Sequence, residues 1–273
     1  MEDTIMLIKK QQARKTITPP KLPQINEATF QDALILSEEA SYSHLVLEND
    51  DLSGQIADLV SIEHAHFKNI KLGGTKLKRV QISDARLESC ELSNAYWPEC
   101  SLHRIEIIGC RMIGFAASQS FMRDTLFKDC KLETADFRFT KFKATRFENC
   151  NLREADFQNA DLHSVVFNNC DLRGSQMSGA QLSGTDLRGS ELDGIGVPLE
   201  NLKGVIIDSS QIVELGWNIA KQIGIIVRDN DQDSCAFCSD TGRRLIKTKS
   251  YPGGVVRQCT HDPTVESKLE SAY

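Results

Sequence analysis

The 273-residue sequence predicts an all-β chain, a β-solenoid of very short strands closed at its C-terminal end by one short helix. Three observations carry that expectation. A large apolar residue returns every five positions, a small residue precedes it by two, and most of the prolines gather outside the regular stretch.

Stepping by five from Leu47, the chain reads Leu52, Ala57, Ile62 and Phe67. It continues through Phe127, Phe137, Phe147, Phe157 and Phe167 to Ile207. All 33 positions are apolar in a chain that is 40% hydrophobic, so the period is a designed feature. The second series is mostly small, as at Ala65, Thr75, Ala85, Cys90, Ala135, Ala155 and Ala160. A mainly polar residue lies between the two, as in Ala155-Asp156-Phe157. Small-polar-large is alternation with period two, so each unit is a short strand whose outer residues face inward. A helix is excluded, because a five-residue repeat drifts around a spiral of 3.6 residues per turn.

The runs Ala155-Asp-Phe-Gln-Asn159, Ala160-Asp-Leu-His-Ser164 and Cys170-Asp-Leu-Arg-Gly174 resemble the pentapeptide-repeat family, whose consensus is Ala-(Asp/Asn)-Leu-Xaa-Xaa. The resemblance covers residues 47–207 and implies a right-handed quadrilateral β-helix with four pentapeptides, or 20 residues, per coil and about eight coils. Residues 20 apart then stack. Phe127, Phe147 and Phe167 form one column, and Phe137 with Phe157 the opposite one. Cys90, Cys110, Cys130, Cys150 and Cys170 form a ladder of small buried residues, because parallel side chains in successive coils lack disulfide geometry. Phe115 and Ala117 swap large and small slots, a volume-conserving exchange that leaves room for a small bulge.

The rest of the chain divides around the repeat. Residues 1–46 read as a leader and cap, with Pro19, Pro20 and Pro23 inside it. Residues 208–227 read as a helix and a short strand. Asp208-Ser-Ser-Gln211 resembles a capping box, and Ile212, Leu215, Ile219 and Ile223 share one helical face. That face caps the last coil, alone or together with a homodimer contact. Residues 228–273 are polar and admit two readings. Cys235, Cys238, Cys259 and His261 form a zinc-binding hairpin, or the segment is a flexible extension with no cofactor.

A formal charge of -6 argues against a general nucleic-acid binder. No apolar run reaches the roughly 20 residues a membrane helix needs, and the N-terminus lacks the pattern of a secretory signal, so the cytoplasm is the expected compartment. Within the repeat no histidine lies in a recognisable nucleophile or metal motif, and Gly73-Gly74 lacks the Lys-Ser/Thr of a phosphate loop. A regular rod also offers no concave cleft, so no catalytic residue is expected. The outward surface remains.

Within residues 47–207 stand 23 acidic and 19 basic residues. The expected function is non-enzymatic binding of another macromolecule, with outward Ile108, Ile113, Phe121 and Leu126 as a candidate patch. The resemblance supplies an alternative, since some family members mimic B-form DNA and bind gyrase or topoisomerase IV, protecting against quinolones. In that reading Asp136, Asp156, Asp161, Asp171 and Asp186 face the partner.

Overall fold

In the computed structural model, residues 16–24, 34–222 and 224–226 are described. The chain divides into two units, Met1–Ile225 and Ile226–Tyr273, and nearly all of the second lies outside the described residues. The first unit is a parallel β-solenoid. Strands β1 (Ser41–Glu48), β2 (Ser61–Lys68), β3 (Gln81–Glu88), β4 (Ser101–Ile108), β5 (Phe121–Lys128), β6 (Lys141–Glu148) and β7 (Val166–Asn168) pair in chain order in one sheet. Each residue meets the one 20 positions later, from Ser41 opposite Ser61 to Phe147 opposite Phe167.

The seven-stranded face therefore covers about six turns, against the eight expected from the whole repeat. The reason is local: beyond β6 the pairing shrinks to single bridges. These keep the same step, as in Asp171 to Glu191 and Asp186 to Ile206. The step also passes unbroken through the Phe115/Ala117 exchange, because Ala116 bridges both Tyr96 and Asp136. No bulge is needed there. Phe115 fills the small slot and contacts the rings of Trp97 and Phe137 at 5.5 and 6.3 Å.

The chain turns at every fifth residue through the left-handed region, as at Asn49 (φ 60), Asp84 (φ 52) and Asn149 (φ 52). Asn and Asp tolerate this conformation best among residues with side chains. From residue 174 the position passes to glycine. At Gly179 the need is twofold: φ is 72, and a Cβ would collide with the Asn159 side chain.

Alternation places the two inward residues of every repeat in one continuous core. The Phe127, Phe147 and Phe167 rings stack at 4.7 and 4.9 Å, and Phe137 stacks on Phe157 at 5.3 Å. Each fully buried phenyl adds ~2 kcal/mol by transfer from water, and the ring contacts add to that. The six described cysteines are buried and free. Burial raises the Cys100 thiol to about 11, which keeps it protonated and unreactive at neutral pH.

Both ends of the core are covered. Leu34 and Leu36 are buried over the first coil, where Gln55 accepts from the Leu36 amide at 2.7 Å and donates to the Leu34 carbonyl at 3.0 Å. A 3-10 turn (Leu199–Leu202) and helix α1 (Gln211–Gln222) lie at the other end. No helix among the described residues is long and apolar enough to cross a membrane.

Candidate functional site

With the inward positions spent on the core, chemistry is left to the outward ones. Each of the four sides carries a line of side chains at the strand spacing of ~4.8 Å. The register distributes the five sequence-predicted aspartates over all four sides. Asp136 and Asp156 are neighbours on one line, Asp161 bridges Lys141 and Gln181, Asp171 bridges Asn151 and Glu191, and Asp186 bridges Val166 and Ile206.

These carboxylates are not open charges. Asp136 accepts the Arg138 fork at 2.9 and 2.8 Å and the Arg138 amide at 3.0 Å. Asp171 takes the Arg173 fork at 2.9 and 2.6 Å, and Asp186 takes that of Arg188 at 2.9 and 2.8 Å. His163 Nδ1 lies 2.7 Å from Asp161 Oδ1. Burial alone raises the Asp136 and Asp171 carboxyls, but the arginine bonds outweigh it and hold both below the ordinary range. Asp186 is itself buried. The Asp-Xaa-Arg unit thus locks the corner of a coil through an amide and a bidentate ion pair. Its signal stood in the sequence, in Asp136-Phe-Arg138, Asp171-Leu-Arg173 and Asp186-Leu-Arg188, and sequence reasoning missed it.

Other outward ion pairs run from coil to coil: Lys68 to Glu48 at 3.0 Å, Lys71 to Asp51 at 3.3 Å and Arg86 to Glu106 at 2.6 Å. The candidate apolar patch does not form one surface. Phe121 aligns with Ser101 and Lys141, and Leu126 with Glu106 and Arg146. Ile108 and Ile113 are only partly exposed. Two strongly exposed apolar residues share a different line, which runs Ile56, Lys76, Tyr96, Ala116, while Phe139 is exposed elsewhere on the solenoid. Ile56 is 69% exposed and Tyr96 50%.

The leader makes a contact that the sequence did not announce. Residues 18–21 lie along one corner of the solenoid, bonded to His64, Asp84 and Asp124, which with Arg104 are left-handed corner residues. The Thr18 amide donates to Asp124 Oδ1 at 3.1 Å and the Lys21 amide to Asp84 Oδ1 at 2.9 Å. His64 Nδ1 donates to the Lys21 carbonyl at 2.8 Å. Arg104 Nε bonds Asp84 Oδ1 at 2.6 Å, and its Nη2 pairs with Oδ2. His103 and Arg123 approach Asp124 Oδ2 at 3.9 and 3.3 Å.

At the C-terminal end the capping box forms as its spacing predicts. The Gln211 amide donates to Asp208 Oδ1 at 3.2 Å, and Gln211 Oε1 accepts from the Asp208 amide at 3.0 Å. The predicted apolar face is only partly the docking face. Ile212 is exposed, Leu215 packs against the core, Ile219 is half-buried, and Ile223 lies outside the described residues. The residue that anchors α1 is polar. Gln211 is 3% exposed and donates to the carbonyls of Leu187 and Ser190 at 2.7 and 2.6 Å. Open carbonyls at a solenoid end need such donors, which apolar side chains cannot supply.

No group of three or more metal-ligating side chains occurs among the described residues, and the zinc candidates Cys235, Cys238, Cys259 and His261 lie outside them. The grooves found are shallow. One of about 410 Å³ is lined by Arg146, Val166, Phe167, Asn168, Asp186, Arg188 and Gly189.

A coil of four five-residue units, repeated at a 20-residue step, finds its counterpart in the family described as pentapeptide repeat region, which matches residues 120–196. That stretch of the solenoid carries the pentapeptide repeat. Among solved structures, the chain is similar to HetL, a pentapeptide-repeat protein involved in heterocyst differentiation regulation from the cyanobacterium Nostoc sp. strain PCC 7120. Identity is 20%, over 63% of this chain and 91% of that one, with a TM-score of 0.38. It is also similar to full-length QnrB1, a plasmid-mediated fluoroquinolone resistance protein, at 18% identity over 68% and 100% of the two chains, with a TM-score of 0.25. A pentapeptide-repeat protein of the Arabidopsis thaliana thylakoid lumen matches at 15% identity over 55% of this chain and 78% of that one, with a TM-score of 0.18. The curated proteins give no match.

Proposed function

We propose that this chain is a non-enzymatic scaffold that binds another protein along its outward sides, in the cytoplasm. The observation that carries the reading is the line Ile56, Lys76, Tyr96, Ala116. Its two large apolar side chains, Ile56 and Tyr96, stand exposed two coils apart on one side, whereas the charges elsewhere are mostly answered by neighbours in the same solenoid. Large exposed apolar side chains aligned on one side mark contact surfaces. A photo-crosslinker in place of Tyr96 is expected to capture one defined protein, and Ile56→Asp to abolish that capture. A rod that captures nothing from any of its four sides ends the reading.

The DNA-mimicry alternative needs uncompensated negative charge, and the arginine forks on Asp136, Asp171 and Asp186 weigh against it. Titration into gyrase or topoisomerase IV reactions tests it. Inhibition relieved by charge reversal at Asp136 and Asp156 would restore it, and no effect would remove it. A homodimer would use exposed Ile212, Val213 and Trp217 of α1, a matter for sedimentation of the full chain and of Trp217→Asp.

A further inference from the structure

The leader segment is held almost wholly through its main chain, and its sequence is fitted to the groove in a way that specifies a ligand. Two amides donate to the solenoid, those of Thr18 and Lys21. The two residues between them are Pro19 and Pro20, which have no N–H to leave unsatisfied. The acceptors are Asp124 and Asp84, 40 residues and therefore two coils apart. Two coils span ~9.6 Å, and three residues of extended polyproline backbone span ~9.3 Å. Donors, prolines and coil spacing are in register.

The groove is also built to receive a backbone. Asp84 is 2% and Asp124 8% exposed beneath the leader. Arg104, from the coil between them, forks onto Asp84, while His103 and Arg123 stand beside Asp124. The carboxylates are thereby oriented before any amide arrives. His64, one coil further along, closes the site by donating to the carbonyl that follows the prolines. No bond to a side chain of the leader is involved in these three contacts, so the groove selects a pattern, N–H, proline, proline, N–H, more than it selects residues.

We infer that this corner is a recognition site for extended Xaa-Pro-Pro-Xaa segments, that residues 18–21 occupy it in cis, and that a partner protein presenting the same pattern displaces them. The inference deepens the scaffold reading by giving the chemistry of one partner, on a side distinct from Ile56 and Tyr96. In cis occupancy lowers the apparent affinity for the partner by the fraction of chains whose groove is empty.

The test uses the full chain and a fluorescent peptide of the sequence of residues 16–24. In the double variant Thr18→Pro with Lys21→Pro, both donors are removed and the extended conformation is kept, so the leader loses its hold without disturbing the solenoid. The peptide is expected to bind this variant about tenfold or more tightly than it binds the unaltered chain, the ratio that two lost main-chain bonds supply. A peptide carrying the same two prolines is expected to lose that binding, a control that touches no residue of the protein. Absence of peptide binding to the double variant overturns the inference, as does equal binding of the two peptides. Either failure leaves the crosslink at Tyr96 untouched, so the scaffold reading stands or falls separately.

Discussion

Two corners of the same coil, five residues apart, share one backbone and differ in nearly everything else. At the first stand His64, Asp84, Arg104 and Asp124; at the second stand Asn69, Ser89, Gly109 and Asp129, and every one of these residues has positive φ. The second corner is exposed and its side chains bond along the line, as Asn69 to Asn49 at 2.6 Å and Asn149 to Asp129 at 3.0 Å. The first is charged, partly buried and covered by the leader. Inward residues therefore set the path of the chain, and the corner residues are free to carry either a turn or a site.

The largest test of that comparison attacks what the corners share. Phe147→Ala removes the middle ring of the 127–147–167 stack and is expected to cost ~3–5 kcal/mol. In chemical denaturation both corners should lose amide protection together. Survival of one corner would show that the coils are not a single cooperative core.

Next comes the covered corner by itself. Arg104→Ala leaves the Asp84 carboxylate without its fork and should cost ~2–3 kcal/mol, less than a fully enclosed pair because Arg104 is partly exposed. Arg104→Lys should recover only part of this, since an ammonium cannot fork. Full recovery would mean that charge alone, and not the bidentate geometry, holds Asp84.

At the open corner the expected effect is smaller and belongs to the backbone. Asn149→Ala places an alanine at φ 52 and should cost ~1 kcal/mol, whereas Asn149→Gly should lie within a few tenths. If the glycine variant is as damaging as alanine, the bond from Asn149 to Asp129 matters more than the conformation.

The mildest effect is pH. The Arg104 bonds lower the Asp84 carboxyl, against the opposing effect of burial. Its contribution is thus complete above the ordinary value of 3.8 and is lost as pH falls through the depressed folded value. Protection of the Thr18 and Lys21 amides should hold at neutral pH and fall only in that acid window. Loss well above that window would show that the Asp84 carboxylate is not what holds the leader.

Much of this was legible in advance because it is local. Alternation at period two and return at period five place Phe147 and Cys150 inward whatever the rest of the chain does. The spacing Asp208-Xaa-Xaa-Gln211 writes a capping box into four residues. What escaped was any contact whose partners lie far apart in sequence or outward in space. Thr18 meets Asp124 across 106 residues, and no periodicity links the two. Gln211 looks polar and dispensable in a helical wheel, yet it satisfies carbonyls of the last coil. Asp136 and its fellows looked like an acidic surface until Arg138, Arg173 and Arg188 were seen folded back on them.

The sequence by itself determined the repeat, the core columns and the helix start, since each follows from neighbouring residues and the free energy of burying apolar ones. Only the tertiary structure decided which outward charges remain open and where the leader lies. Polar contacts depend on distances of a few tenths of an ångström between groups that the chain brings together only once the coils are stacked.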